Sequence, residues 1–123
     1  GFLRYVLSNL SKNQPIEAFG DIYGSPTYLP YFCGYLEAVI ERELTGLFHV
    51  AGRERISRFE FAKLIARTFN YDETLVQETK APESFLSPRD SSLDSSRMRG
   101  LLGLEWKSLL HALEDMHNKK SKL

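Results

Sequence analysis

The chain has 123 residues, with 16 basic and 16 acidic side chains and a single cysteine, Cys33. That length bounds it to one domain with a modest core. The balanced charge gives no pull toward nucleic acid or an anionic membrane surface, and one thiol excludes an internal disulfide framework. The longest apolar runs fall far short of a membrane span. The start, Gly1-Phe2-Leu3-Arg4, has no signal-peptide character and reads as a cut into an element already under way.

In chain order, Leu3, Val6, Leu7 and Leu10 fall at helical spacing and predict a helix near residues 2–11. Ser11 to Pro15 stops it. Ile16-Glu17-Ala18-Phe19 alternates as a strand with one buried face, near 15–19. Gly20-Asp21 and Gly24-Ser25-Pro26 then supply dense turn chemistry. Phe32, Tyr35, Leu36, Val39 and Ile40 repeat at i, i+3, i+4, i+7 and i+8, the strongest amphipathic stripe in the chain, and predict a helix near 30–44 that Thr45-Gly46 ends. Cys33 lies within this helix and is expected to be an ordinary buried thiol, suited to a reducing compartment. Gly34 interrupts the helix at a cost of about 1 kcal/mol against Ala, a feature that a close neighbour would explain.

Leu47 to Ala51 is continuously apolar apart from His49 and predicts a strand buried on both faces. His49 has no acid or nucleophile beside it in sequence, so a packed or edge histidine is favoured over a general base. Ser57-Arg58-Phe59-Glu60 is a capping box, opening a helix near 57–69 that buries Phe61, Leu64, Ile65 and Phe69 and ends at Asn70-Tyr71-Asp72. A short strand is expected near 74–78. Lys80–Asp94 has no periodicity and is a long loop. Asp94 is the expected N-cap of a helix near 95–102, closed by Gly103. A last helix, near 106–117, places Leu109, Leu110, Leu113 and Met116 on one face, followed by a basic, frayed tail.

The order strand, polar turn, helix N-terminus around Gly20–Tyr28 makes a place where small polar groups and backbone N–H groups can meet a ligand. The same residues also serve as a plain turn. Thr27 offers a hydroxyl, and the flat ring of Tyr28 suits a sugar or base face. Arg89, between Pro88 and Asp90 in the long loop, offers a fork for a phosphate. Pairing with Asp90 or Asp94, or simple solvation, is equally open for it. The chain carries no CxxC, HExxH or GxSxG, no Walker loop, no GxGxxG, and no Tyr with a Lys four residues later. It therefore has no catalytic, cofactor-binding or metal-binding residues of its own to put forward.

The run GSPTY, then the amphipathic helix, GLFHVAG, ISRFEFAKLIARTFN and PRDSSLDSSRMRGLLGL, resembles the C-terminal part of dTDP-4-dehydrorhamnose reductase-like proteins, which are extended short-chain dehydrogenase/reductases with an RmlD-type substrate-binding region. The resemblance covers roughly Phe2 to Met116. It implies an α/β fold, a single substrate-binding domain over residues 1–123, and a parent whose own N-terminal Rossmann domain is missing here. That domain would hold NAD(P)H and the catalytic Tyr and Lys, so this chain would bind no cofactor. The resemblance also implies a nucleotide-sugar as the ligand, Ser25, Pro26, Thr27, Tyr28 and Arg89 as substrate-binding residues, and a cytoplasmic enzyme with neither nucleic-acid nor membrane partners, a homodimer being one open assembly. Two residues depart from the family pattern. Ser87 replaces the usual Arg before the Pro, and Tyr31 stands where an acidic residue often follows PTY. A sugar-nucleotide reductase or related epimerase is one implied function. The other is a non-catalytic relative, of the kind that serves as regulatory subunit of methionine adenosyltransferase.

Overall fold

A computed structural model describes the backbone over residues 1–121 and side chains through Lys119. The elements are α1 (Phe2–Leu10), β1 (Ile16–Phe19), β2 (Tyr23–Gly24), α2 (Leu29–Glu41), β3 (Ile56–Ser57), α3 (Arg58–Thr68), a single 3₁₀ turn (Glu73–Leu75), β4 (Val76–Thr79), α4 (Ser96–Leu102) and α5 (Leu109–Ser121). The fold is α/β, as its sequence implies.

Two small sheets and two cores organise the chain. β1 and β4 pair in parallel, Ile16 opposite Val76 and Phe19 opposite Thr79. The alternation in β1 turns Ile16 and Ala18 inward and leaves Glu17 exposed. These residues join Val6 and Leu10 of α1, Ala62, Ile65, Ala66 and Phe69 of the α3 segment, and Leu109 and Leu113 of α5 in the first core. α3 lies at its centre. Its first turn is held as the capping box requires, the Ser57 hydroxyl accepting from the Glu60 N–H at 3.1 Å. Asn70, at φ 61°, turns the chain out of it.

The second core is smaller. Tyr35 and Ala38 of α2 meet Met98 and Leu102 of α4 and Trp106. The Tyr35 and Trp106 rings stack with centroids 3.5 Å apart, and the indole N–H donates to the Ala51 carbonyl at 2.8 Å. Gly103, at φ 61°, closes α4 in the left-handed conformation that favours glycine.

Several expectations fail here. Leu47–Ala51 is not a strand: the segment is irregular, and Leu47 is 82% exposed. No described strand lies beside it to take its backbone hydrogen bonds, and an apolar run forms a strand only where such a neighbour exists. His49 is exposed, neither packed nor at a sheet edge. Cys33 is exposed, not buried. The α2 stripe is only half covered, with Tyr35 buried but Leu36 and Ile40 exposed. Gly34 has no atom near the position a Cβ would take, so no close neighbour explains it. α2 stops at Glu41, ahead of Thr45-Gly46, and positive φ follows at both Glu43, 52°, and Gly46, 109°. Ser95, not Asp94, is the N-cap residue of α4, while Asp94 accepts from the Ser96 N–H at 2.9 Å. α5 begins at Leu109 because Trp106 is drawn into the second core, and it continues past His117 to Ser121. The rest of the expected frayed tail, residues 122–123, lies outside the described residues.

The antiparallel pair β2–β3, Tyr23 opposite Ser57 and Gly24 opposite Ile56, is an addition to the predicted elements. Each strand is two residues long, too short for a periodic signal.

Candidate functional site

The turn from Asp21 to Tyr28 sits where the two cores meet. β2 runs through it, with β3 on one side. On the other side lies the loop 89–93: the Tyr23 N–H donates to the Arg89 carbonyl at 2.7 Å, and the Ser91 N–H donates to the Tyr23 carbonyl at 3.0 Å. Tyr23 and Asp90 form a parallel bridge. The long loop is a loop as expected, and its residues 89–93 are bound along β2 as a strap.

An open cleft of about 280 Å³ lies against this turn. Ser25 and Pro26 form one wall, and Ser57, Arg58 and Phe61 of the α3 start form the other, with Phe2 beside them. Arg58 also lines a neighbouring depression with Phe19 and Tyr5. Its guanidinium lies 5.8 Å from the centre of the Phe85 ring, and it has no salt-bridge partner among the described residues. The cleft thus offers hydroxyls, aromatic faces and one cation free to take an anionic ligand, the mixture that small-molecule sites use.

The five residues expected at the site occupy four different settings. Ser25 and Pro26 line the cleft, although the Ser25 hydroxyl also accepts from the Leu93 N–H at 3.1 Å. Thr27 is spent on the turn: its hydroxyl donates to the Ser25 carbonyl and accepts from the Gly52 N–H, both at 2.9 Å. Gly52 is required there, because a Cβ would overlap the Pro26 carbonyl oxygen. Tyr28 faces α5, where its hydroxyl donates to Asp115 Oδ2 at 2.7 Å.

Arg89 pairs with neither Asp90 nor Asp94. It donates to Asp21 Oδ2 at 2.8 Å and to the Ala81 and Pro82 carbonyls, both at 3.3 Å. Asp21 in turn accepts from the Ala81 N–H at 2.9 Å, and that bond, followed by the Arg89 charge, holds its carboxyl below the usual range. Asp90 takes Arg55 instead, at 2.8 Å. Hydrogen bonds from Ser92 and then Arg55 lower the Asp90 carboxyl to about 2. Arg55 lies over the Tyr23 ring, its Cζ 3.8 Å from the ring centre. These contacts pin the strap to β2.

Sequence reasoning missed Arg58, whose only signal was its place immediately after a capping serine. Phe61 was assigned to a buried helix face and nothing more, and Phe2 to no face at all.

The α/β architecture resembles the substrate-binding part of extended short-chain dehydrogenase/reductases. The RmlD substrate binding domain family profile matches residues 1–121, and the chain belongs to that family. The dTDP-4-dehydrorhamnose reductase (rfbD) of Bacillus anthracis str. Ames, solved in complex with NADP, is 27% identical with a TM-score of 0.83, over 97% of this chain and 42% of its own. A hypothetical dTDP-4-dehydrorhamnose reductase of Sulfolobus tokodaii is 38% identical with a TM-score of 0.76, over 91% and 41%. The probable low-salt glycan biosynthesis reductase Agl14 of Haloferax volcanii is 27% identical over 120 residues, 93% of this chain and 40% of that protein. The chain therefore spans about two fifths of the length of these relatives. No described helix is long and apolar enough to cross a membrane.

Proposed function

We propose that this chain is the substrate-binding part of a reductase acting on a nucleotide-sugar, in the cytoplasm, and that NAD(P)H with its hydride and proton chemistry belongs to a Rossmann domain in the remainder of the parent. The observation that supports this most is the cleft, which is lined by both the Ser25–Pro26 turn and Arg58, a cation with no salt-bridge partner among the described residues. A diphosphate carries charge for Arg58. The rings of Phe2 and Phe61 offer flat apolar surface to a base or sugar. At Gly20, where β1 ends, a Cβ would meet the Glu78 side chain, so Glu78 fills the space beside it.

In this reading Ser25, Pro26 and Arg58 face the ligand. Thr27 and Arg89 act by holding the turn and the strap in place. The uncovered apolar face of α2, with Leu36 and Ile40, packs on the Rossmann domain in the parent.

Steady-state kinetics of the full-length protein with NADPH and a dTDP-4-keto-sugar test the proposal. Arg58→Ala is expected to raise KM about 10- to 100-fold, the worth of a hydrogen bond to a charged group, with kcat little changed. Arg89→Ala is expected to raise KM less, because its bonds are internal. An unchanged KM in both Arg58→Ala and Ser25→Ala removes the cleft from the substrate path. A full-length protein that binds the nucleotide-sugar but never oxidises NADPH is the non-catalytic relative instead.

A further inference from the structure

Tyr28 closes the turn that walls the cleft, yet its ring points away from that cleft and toward α5. Asp115 Oδ2 accepts from its hydroxyl at 2.7 Å. Lys119 Nζ lies 3.4 Å from the same hydroxyl and 3.0 Å from the Asp115 carboxylate. One turn into α2, the Tyr31 hydroxyl meets His111 Nδ1, and the Tyr28 and Tyr31 rings pack edge to face at 4.9 Å. His111, Asp115 and Lys119 recur every four residues and share one face of α5. Leu109 and Leu113 anchor the same helix in the first core. α2 belongs to the second core. The polar cluster therefore ties the helix that follows one wall of the cleft to the helix that packs behind the other.

We infer that Tyr28, Asp115 and Lys119 form a clasp that positions the Ser25–Pro26 wall against the Ser57–Phe61 wall, so that Tyr28 governs ligand affinity without touching the ligand. β2–β3 pairing joins the walls at Tyr23 and Ser57 and acts as a hinge. The Thr27–Gly52 bond fastens the turn to the side of the second core. The clasp adds a tie between α2 and α5 across 87 residues of chain, beside the bond from the Leu109 N–H to Glu54 at the start of α5. Burial and then Asp115 raise the Tyr28 hydroxyl, while Tyr28 and then Lys119 lower the Asp115 carboxyl. Donor and acceptor therefore keep their roles through the neutral range.

The inference rests on the cleft being the ligand site, and the experiment separates the two. Calorimetric titration of the full-length protein with dTDP is made for Tyr28→Phe, Asp115→Ala, Lys119→Met and the Tyr28→Phe/Asp115→Ala pair, with Arg58→Ala and Ser25→Ala as controls. Tyr28→Phe and Asp115→Ala are each expected to weaken binding about 3- to 10-fold, the worth of one net hydrogen bond. The double variant should be no worse than either single one, because both remove the same contact. Lys119→Met should weaken binding less. Weaker dTDP binding in Tyr28→Phe with unchanged binding in Asp115→Ala overturns the inference, since Tyr28 then meets the ligand itself. So does a lowered Tm with unchanged Kd, which marks a merely structural contact. If the controls lose affinity and the clasp variants keep it, only the clasp fails. If wild-type protein binds no dTDP, the cleft reading fails and the clasp with it.

Discussion

The two cores were written in the same binary code and ended in different states. In the first, Val6, Ala62, Ile65 and Ala66 are fully buried between α1, α3, α5 and the β1–β4 pair. In the second, α2 carries an apolar stripe at i, i+3, i+4, i+7 and i+8, yet Ile40 is 67% exposed and Leu36 45%. Leu47, just beyond the helix, is more exposed still. An amphipathic stripe records that a face is to be buried but not what buries it. α3 finds its cover on several sides within the chain. α2 finds Met98, Leu102 and Trp106 on one side only.

The sharpest way to break this comparison is to truncate matched side chains. Ile65→Ala is expected to cost about 2–5 kcal/mol, the range for a large aliphatic side chain lost from a packed core. Ile40→Ala in this chain should stay within about 0.5 kcal/mol, as exposed substitutions do. Urea unfolding of both variants reads the difference. A large cost for Ile40→Ala in the full-length protein but not in this chain would show that the parent covers α2. Equal costs in this chain would show the second core to be as closed as the first.

Two glycines sharpen the contrast with opposite signs. Gly52→Ala drives a methyl into the Pro26 carbonyl, and is expected to destabilise by about 1–3 kcal/mol while loosening the Ser25–Thr27 turn. Gly34→Ala meets no atom and should stabilise α2 by about 0.5–1 kcal/mol through backbone entropy. Thermal unfolding separates them, and a destabilised Gly34→Ala would mean that something unrecognised packs on that face.

The smallest expected effect lies in the strap. Asp90 sits near 2 in the folded chain against an ordinary 3.8, and Asp21 is lowered too. Carboxyls depressed by folding stabilise fully above their unfolded values, and that stability fades as pH falls toward the folded ones. The strap should therefore hold at pH 5 and loosen between about 4 and 2. Both groups are partly exposed, so the change is local and slight. Amide exchange at Ser91 and Ser92 follows it, and Asp90→Asn should weaken the strap at neutral pH and flatten its acid response.

The local elements were legible wherever a signal lies within a few residues. α1, β1, α3 and α4 follow their apolar spacing, the Ser57 cap holds Glu60, and Gly103 stops α4 at a positive φ. The order of motifs carried the family, because GSPTY and its successors keep their spacing whatever they touch. What the tertiary structure alone decided concerns partners far apart in sequence. Arg89 chose Asp21, 68 residues away, over the nearer Asp90 and Asp94, because the strap lies along β2 and brings that carboxylate to it. Tyr28 chose Asp115. Arg58 and Ser25 came to line one cleft because β2 and β3, the strands that precede them, pair over two residues. Leu47–Ala51 kept a strand's composition without becoming one, since a strand is completed by hydrogen bonds that its own residues cannot supply. Spacing along a chain sets helices, turns and caps, whereas the cleft and its charges come from contacts between segments that no local pattern encodes.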